Sequence, residues 1–167
     1  ATRKRKAPFR SKNDRYVEIP DRVCERGWFG QKVGKGYYLY GKDVKPLTPN
    51  PEIEQICKLE RERVGINQKE FSDQEILDRY ITALVWEGVK ILEERIAIKP
   101  SDIDVVYNNG YGFTRWSGGP MNYADKLGLD KILNNIKNYE KENSSFWSCP
   151  KLIEQLVSEG KKFKDLN

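Results

Sequence analysis

Residues 101–130, SDIDVVYNNGYGFTRWSGGPMNYADKLGLD, read as two short helices joined by a shaped aromatic turn. Ser101 is placed to cap the first helix, with Asp104 three residues on for the reciprocal bond, and Ile103, Val105 and Val106 form its apolar side. Gly110 stops that helix. The turn Tyr111-Gly112-Phe113-Thr114-Arg115-Trp116-Ser117 combines large rings with residues that relax the backbone, which predicts a fixed shape. Gly118 and Gly119 lead into Pro120, which suits the first position of a second helix.

Working outward, Ser72 and Glu75 make a capping box that opens the longest helix, expected over 73–95. At ~1.5 Å per residue it would be about 35 Å long, enough to run through a whole domain. Leu77, Ile81, Leu84 and Ile91 recur at three- and four-residue steps, with Val85, Val89, Leu92 and Ile96 on an adjoining stripe, so that face is to be buried. Gly88 lies within the stripe, where it costs about 1 kcal/mol against Ala; its presence predicts another helix crossing closely there. Trp86 and Glu87 read as the other flank of the helix rather than as a functional pair. Before it, Asn50 caps and Pro51 opens a helix carrying Ile53, Ile56, Cys57 and Val64 towards Gly65. Beyond residue 128, Leu129, Ile132, Leu133 and Ile136 mark an amphipathic helix, and Ser148 with Pro150 begins a last one carrying Leu152, Ile153, Leu156 and Val157 before Gly160.

Nearer the N-terminus, a short helix over 21–27 is followed by WFGQKVGKGYYLY, residues 28–40. Gly34 and Gly36 alternate with lysines, a pattern that could cradle a phosphate. The spacing is not that of a Walker loop, and the Gly-x-Gly precedes a short aromatic strand instead of opening a helix. A tight turn that lays Tyr37, Tyr38 and Tyr40 onto the domain is the better reading.

Three of these segments carry a resemblance in the right order. DVVYNNGYGFTRWSGGPMNYADKLGLD (104–130) resembles the C-terminal domain of the 3-hydroxyacyl-CoA dehydrogenase family, especially the last domain of the multifunctional fatty-acid β-oxidation enzymes. CERGWFGQKVGKGYYLY (24–40) is similar to the family's Gly-Gln-Lys-x-Gly-x-Gly-aromatic segment, and SDQEILDRYITALVWEGVKILEE (72–94) to the long helix before its Tyr-Gly-Phe turn. Thr114 stands where the family usually has Pro, and Ser117 where a basic residue is common.

The resemblance implies an all-α fold of about five to six helices, preceded by a basic linker and a short aromatic hairpin-like segment. It divides the chain into a linker over 1–20, the tail end of a preceding helical domain or a connecting segment over 21–48, and the helical C-terminal domain over 49–167. Gly34, Gly36, Gly88, Gly110, Tyr111, Gly112, Phe113, Gly118, Gly119 and Pro120 are then residues of turn shape and packing. It also implies NAD and an acyl-CoA substrate in the complete enzyme. The implied partners are an N-terminal dinucleotide-binding domain and a preceding helical domain of the same polypeptide, and enoyl-CoA hydratase activity can accompany the dehydrogenase. A peroxisomal or mitochondrial home follows by analogy; the C-terminal Lys-Asp-Leu-Asn is not a Ser-Lys-Leu address.

Composition bounds the rest. The formal net charge is +5, yet residues 1–12 hold Arg3, Lys4, Arg5, Lys6, Arg10 and Lys12 without an acid, so the body is nearly neutral. This tract suits a solvated linker better than a localisation signal or a nucleic-acid arm, and the family places a basic connection here. Three separated cysteines with no histidine argue against zinc and fit a reducing compartment. No apolar run approaches the ~20 residues of a membrane span, and the opening Ala with a charged tract argues against secretion.

Oxidising a 3-hydroxyacyl group calls for a base and a bound nicotinamide. The sequence has neither a histidine nor a Gly-x-Gly-x-x-Gly between strand and helix, so no catalytic, cofactor-binding or metal residue is assigned. The expected role is to complete a substrate cleft and supply a dimer-like packing face, with surplus apolar surface that favours self-association. The alternatives are a non-catalytic binding or scaffolding module of the same fold and a hydratase using Asp102 and Asp104. Those two acids read more simply as first-turn residues favoured by the helix dipole.

Overall fold

The computed structural model describes residues 16–167; the basic tract lies outside the described residues. Contacts divide the chain into two compact units, one ending at Glu70 and the other spanning Phe71–Asn167.

In the first unit, helix α1 (Ile19–Glu25) packs on helix α2 (Pro51–Val64). Asn50 is the expected cap of α2: its Oδ1 accepts the Glu52 N–H at 3.2 Å, while its Nδ2 donates to Gly36 O at 2.8 Å. One buried side chain thereby fastens the glycine turn to the start of the helix. The aromatic segment forms isolated bridges, Gly30 with Lys35, Lys35 with Leu39 and Tyr38 with Pro49, in place of a strand. Its tyrosines remain 38–44% exposed, so they are laid on the surface rather than into it. Val23 and Ile56 are the buried apolar side chains of this unit among the described residues. Helix α2, read from sequence as the head of the C-terminal domain, clusters here.

The second unit is built from helices α3 (Asp73–Glu93), α4 (Pro100–Gly110), α5 (Pro120–Leu127), α6 (Leu129–Glu142) and α7 (Lys151–Ser158), followed by a 3-10 turn at Phe163–Leu166. The capping box at Ser72 and Glu75 forms as the sequence indicates. Helix α3 ends two residues short of its expected limit, where Arg95 turns into the left-handed region at φ 57°. Ile81, Val85 and Val89 are buried against Ile103 of α4, Met121 and Ala124 of α5, and Leu129, Ile132, Leu133 and Ile136 of α6. Ile153, Leu156 and Phe163 extend this core towards the C-terminus.

Gly88 does mark a close crossing. A β-carbon there would come within 2.7 Å of Met121 Sδ, so α5 can approach α3 because residue 88 has none.

Several side chains differ from their sequence reading. Trp86 is a core residue, 5% exposed, with its indole N–H donating to Ser148 O at 2.7 Å. Thr82, Val85, Trp86 and Val89 widen the buried stripe past the positions that the apolar spacing alone predicts. At the other edge Leu77 is 44% and Ile96 72% exposed, and on α4 Val105 and Val106 point outward at 58% and 53%. Ser101 does not cap α4; the Pro100 ring already occupies the first turn, and Asp102 Oδ2 accepts the Lys99 N–H at 3.1 Å. Ser148 does not cap α7, whose Leu152 N–H is taken at 2.7 Å by Glu93 Oε1 of α3.

Candidate functional site

The Gly-Gly-Pro entry to α5 has no side-chain cap of its own: Gly119 stands at the N-cap position, φ 101°, and the bonds the helix start needs come from elsewhere. Asp104 supplies them. Its Oδ1 accepts the Met121 N–H at 2.7 Å and its Oδ2 the Asn122 N–H at 3.1 Å, so one carboxylate of α4 occupies the positive end of α5. This requires glycine at 119, since a β-carbon there would fall onto the Asp104 carboxyl group itself. The Gly119 backbone conformation is one that only glycine adopts easily.

Gly118 serves the same construction from the other side. A β-carbon there would collide with the Asn122 amide, whose Nδ2 donates to Ser117 O at 2.7 Å. Lys126 Nζ reaches the same carbonyl at 3.2 Å, and Thr114 Oγ1 donates to Ser117 Oγ at 2.8 Å. Thr114 and Ser117, the positions that depart from the family pattern, thus bond to each other.

The aromatic turn is fixed by ring contacts. Phe113 meets Tyr107 at 6.4 Å and 82°, and Tyr123 at 6.4 Å and 65°, both edge-on. Tyr111 stacks at 5.3 Å on Tyr107 yet remains 75% exposed, and Trp116 is 83% exposed. Burial pushes the Tyr107 hydroxyl above its ordinary pKa, with smaller contributions from Tyr80 and Tyr111. Tyr80 of α3 is 56% exposed. Tyr107 and Tyr111 meet at the end of α4, and Tyr80 of α3, Tyr111 and Trp116 all stand outward.

A second carboxylate repeats the arrangement. Asp125 Oδ1 accepts the Phe163 N–H at 2.8 Å and Oδ2 the Lys164 N–H at 3.0 Å, drawing the terminal turn onto α5 and seating Phe163 at 1% exposure. Asp104 and Asp125 line one cleft of about 360 Å³, with Ser101, Asn108, Asn122 and Lys164. Burial pushes the Asp104 carboxyl up to about 6, against the opposing effect of its two backbone bonds, and Asp125 adds to the rise.

Of the residues singled out in the sequence, Gly88, Gly118, Gly119 and Pro120 converge on the start of α5. Gly110, Tyr111, Gly112 and Phe113 shape the turn before it, with Gly110 as the exposed last residue of α4 and the positive φ falling at Gly112. Gly34 and Gly36 lie in the first unit, where Tyr40 N–H donates to Gly34 O and Gly36 N–H to Tyr38 O, each at 2.9 Å. Sequence reading missed Asp104 and Asp125 as tertiary caps. A signal existed for Asp104, because a helix opened by Gly-Gly-Pro has no local acceptor and must borrow one.

Comparison with known proteins places this architecture. Residues 76–165 match the family described as 3-hydroxyacyl-CoA dehydrogenase, C-terminal domain. The chain is 44% identical over 133 residues to a peroxisomal bifunctional enzyme of Danio rerio, covering 79% of the chain and 18% of that protein. It is 42% identical over 132 residues to the peroxisomal bifunctional enzyme of Homo sapiens, covering 78% and 18%. A fatty acid oxidation complex subunit alpha of Psychrobacter sp. (strain PRwf-1) is 31% identical over 156 residues, 93% of the chain and 21% of that protein. The chain spans about a fifth of the length of the curated relatives it matches.

Proposed function

We propose, given that the chain belongs to the 3-hydroxyacyl-CoA dehydrogenase C-terminal domain family, that it supplies the packing half of an NAD-dependent 3-hydroxyacyl-CoA dehydrogenase of fatty-acid β-oxidation. The base and the nicotinamide site belong to a dinucleotide-binding domain elsewhere in the same polypeptide, since these 167 residues contain no histidine. The acyl-CoA substrate lies in a cleft that the helical domain completes, and the names of the relatives favour a multifunctional enzyme of the peroxisome. Residues 1–20 serve as its linker, 21–48 as the end of the preceding helical domain and 49–167 as the C-terminal domain.

The observation that carries this reading is the exposed aromatic surface. Tyr80 and Tyr111 stand outward at 56% and 75%, with Leu77 and Val106 half-exposed on the same helices. A helical domain with a complete core of its own has no need of such a surface unless another domain covers it. Sedimentation velocity of the 167-residue chain is expected to show self-association that rises with concentration and is weakened by Tyr80→Ser with Tyr111→Ser. A monomer at every concentration would refute the packing face. Intact mass of the native polypeptide tests the wider reading, which requires a longer chain carrying a nucleotide-binding domain.

A further inference from the structure

The terminal turn is joined to two helices through backbone bonds. Asp125 of α5 accepts the Phe163 and Lys164 N–H groups, and at the far end Asn167 Oδ1 accepts the Ser101 N–H of α4 at 2.9 Å. Phe163, Lys164 and Asn167 thereby wall the cleft that Asp104 lines, and Asp104 is left 8% exposed. Phe163 is buried, whereas 158–162 and 164–167 on either side of it are exposed. A segment held by one ring and a few bonds, with exposed chain around it, opens at lower cost than the helices it rests on.

On the other side of the clasp, Asn122 makes two bonds of different kinds. Its N–H donates to Asp104 Oδ2 at 3.1 Å, and its Nδ2 donates to Ser117 O at 2.7 Å, next in sequence to Trp116. Asn122 therefore ties the buried clasp to the aromatic turn. A bond to a carboxylate is stronger where water is excluded, and it weakens once water competes for the same oxygens. Lifting the terminal turn would admit water to Asp104, loosen the first turn of α5 and slacken the hold of Asn122 on Ser117.

We propose that residues 162–167 act as a strap whose seating fixes the shape of the aromatic turn, by keeping the Asp104–Asn122 bond out of water. Its consequence for packing rests on the function proposed above, because Tyr111 and Trp116 belong to the exposed aromatic surface; the coupling itself does not. Coupling of this kind is reciprocal, so a domain that covers the turn also favours the seated strap.

Residue-resolved hydrogen exchange on the dilute 167-residue chain tests the coupling. The reporters are the Ser117 and Gly118 N–H groups, which donate to Thr114 O at 2.9 Å and Arg115 O at 3.1 Å. Lys164→Pro removes one N–H of the strap and alters neither α5 nor Phe163. It is expected to speed exchange of both reporters about three- to tenfold, the scale of one hydrogen bond. Ile136→Val takes a comparable amount from the buried core of the same unit without touching strap, clasp or turn, and is expected to leave the reporters unchanged. In an Asn122→Ala background the link is already cut, so Lys164→Pro should add nothing further. Deletion of residues 162–167 is the harsher variant, since it empties the Phe163 site; Lys164→Pro decides where that deletion does not fold. Reporters unmoved by Lys164→Pro overturn the proposal. So do reporters that Ile136→Val speeds equally, and an effect of Lys164→Pro that persists undiminished in Asn122→Ala. A chain that sediments as a monomer at every concentration refutes the packing face alone, and the exchange result still decides the strap.

Discussion

Both units of the chain carry exposed ion pairs, but the second adds carboxylates that cap the backbone of helices and turns distant in sequence. In the first, Glu18, Glu25 and Glu60 pair with Arg22 and Arg63 at 2.6–3.7 Å on side chains that are mostly a third to a half exposed. In the second, Asp104, Asp125 and Glu93 accept backbone N–H groups of α5, the terminal turn and α7. Ion pairs in the open are screened and contribute about 0–1 kcal/mol each. A carboxylate on the unsatisfied end of another helix does more, because it fixes which elements meet and where. The second unit therefore has a specified tertiary structure, whereas the first, with Val23 and Ile56 as its buried apolar side chains among the described residues, has little core to specify.

The largest loss of stability is expected in the core of the second unit. Trp86→Ala removes a buried indole, its bond to Ser148 O and its contacts with Phe146 at 5.1 Å and Trp147 at 5.3 Å. An expected loss of about 3–5 kcal/mol in denaturant unfolding follows for a buried aromatic truncated to Ala. Asp104→Ala comes next at about 2–4 kcal/mol, since it leaves the Met121 and Asn122 N–H groups without their acceptor. If Asp104→Ala instead costs no more than Arg63→Ala, the contrast between the units collapses. Ser72→Ala removes a cap that is local and exposed, and is expected to cost about 1 kcal/mol.

This ordering also measures what the sequence could reveal. Features encoded by neighbours in the chain were legible: the Ser72–Glu75 box, the Asn50 cap followed by Pro51, the α6 face of Leu129, Ile132, Leu133 and Ile136, and the close crossing at Gly88. What stayed hidden depends on partners distant in sequence. Asp104 and Met121 are 17 residues apart, Asp125 and Phe163 38, Glu93 and Leu152 59. An aspartate in the first turns of a helix has a sufficient local explanation in the helix dipole, and that explanation concealed the tertiary one. Trp86 was hidden for a different reason: it widens the buried stripe past the positions a narrower periodicity picks out.

The smallest effect separates the units by sign rather than size. In the first unit the Arg63 guanidinium, bonded to Glu60 at 2.7 and 2.8 Å, holds that carboxyl well below its usual range, down to about 2. A depressed folded pKa stabilises above the unfolded value, and the contribution fades as pH falls from about 4 towards 2. Asp104 in the second unit changes in the other direction and over a higher window. Hydrogen exchange resolved by residue should therefore show α2 losing protection on acidification below pH 4, while the Met121 and Asn122 amides gain it between pH 7 and 5. Arg63→Ala is expected to cost under about 1 kcal/mol, to flatten the acid limb of α2, and to lose most of its effect at high salt. Asp104→Asn should flatten only the response of the α5 amides. An acid limb in α2 that survives Arg63→Ala would show that Glu60 is held by its bond from the Glu18 N–H, at 3.2 Å, and the first unit would then share the backbone-capping device of the second.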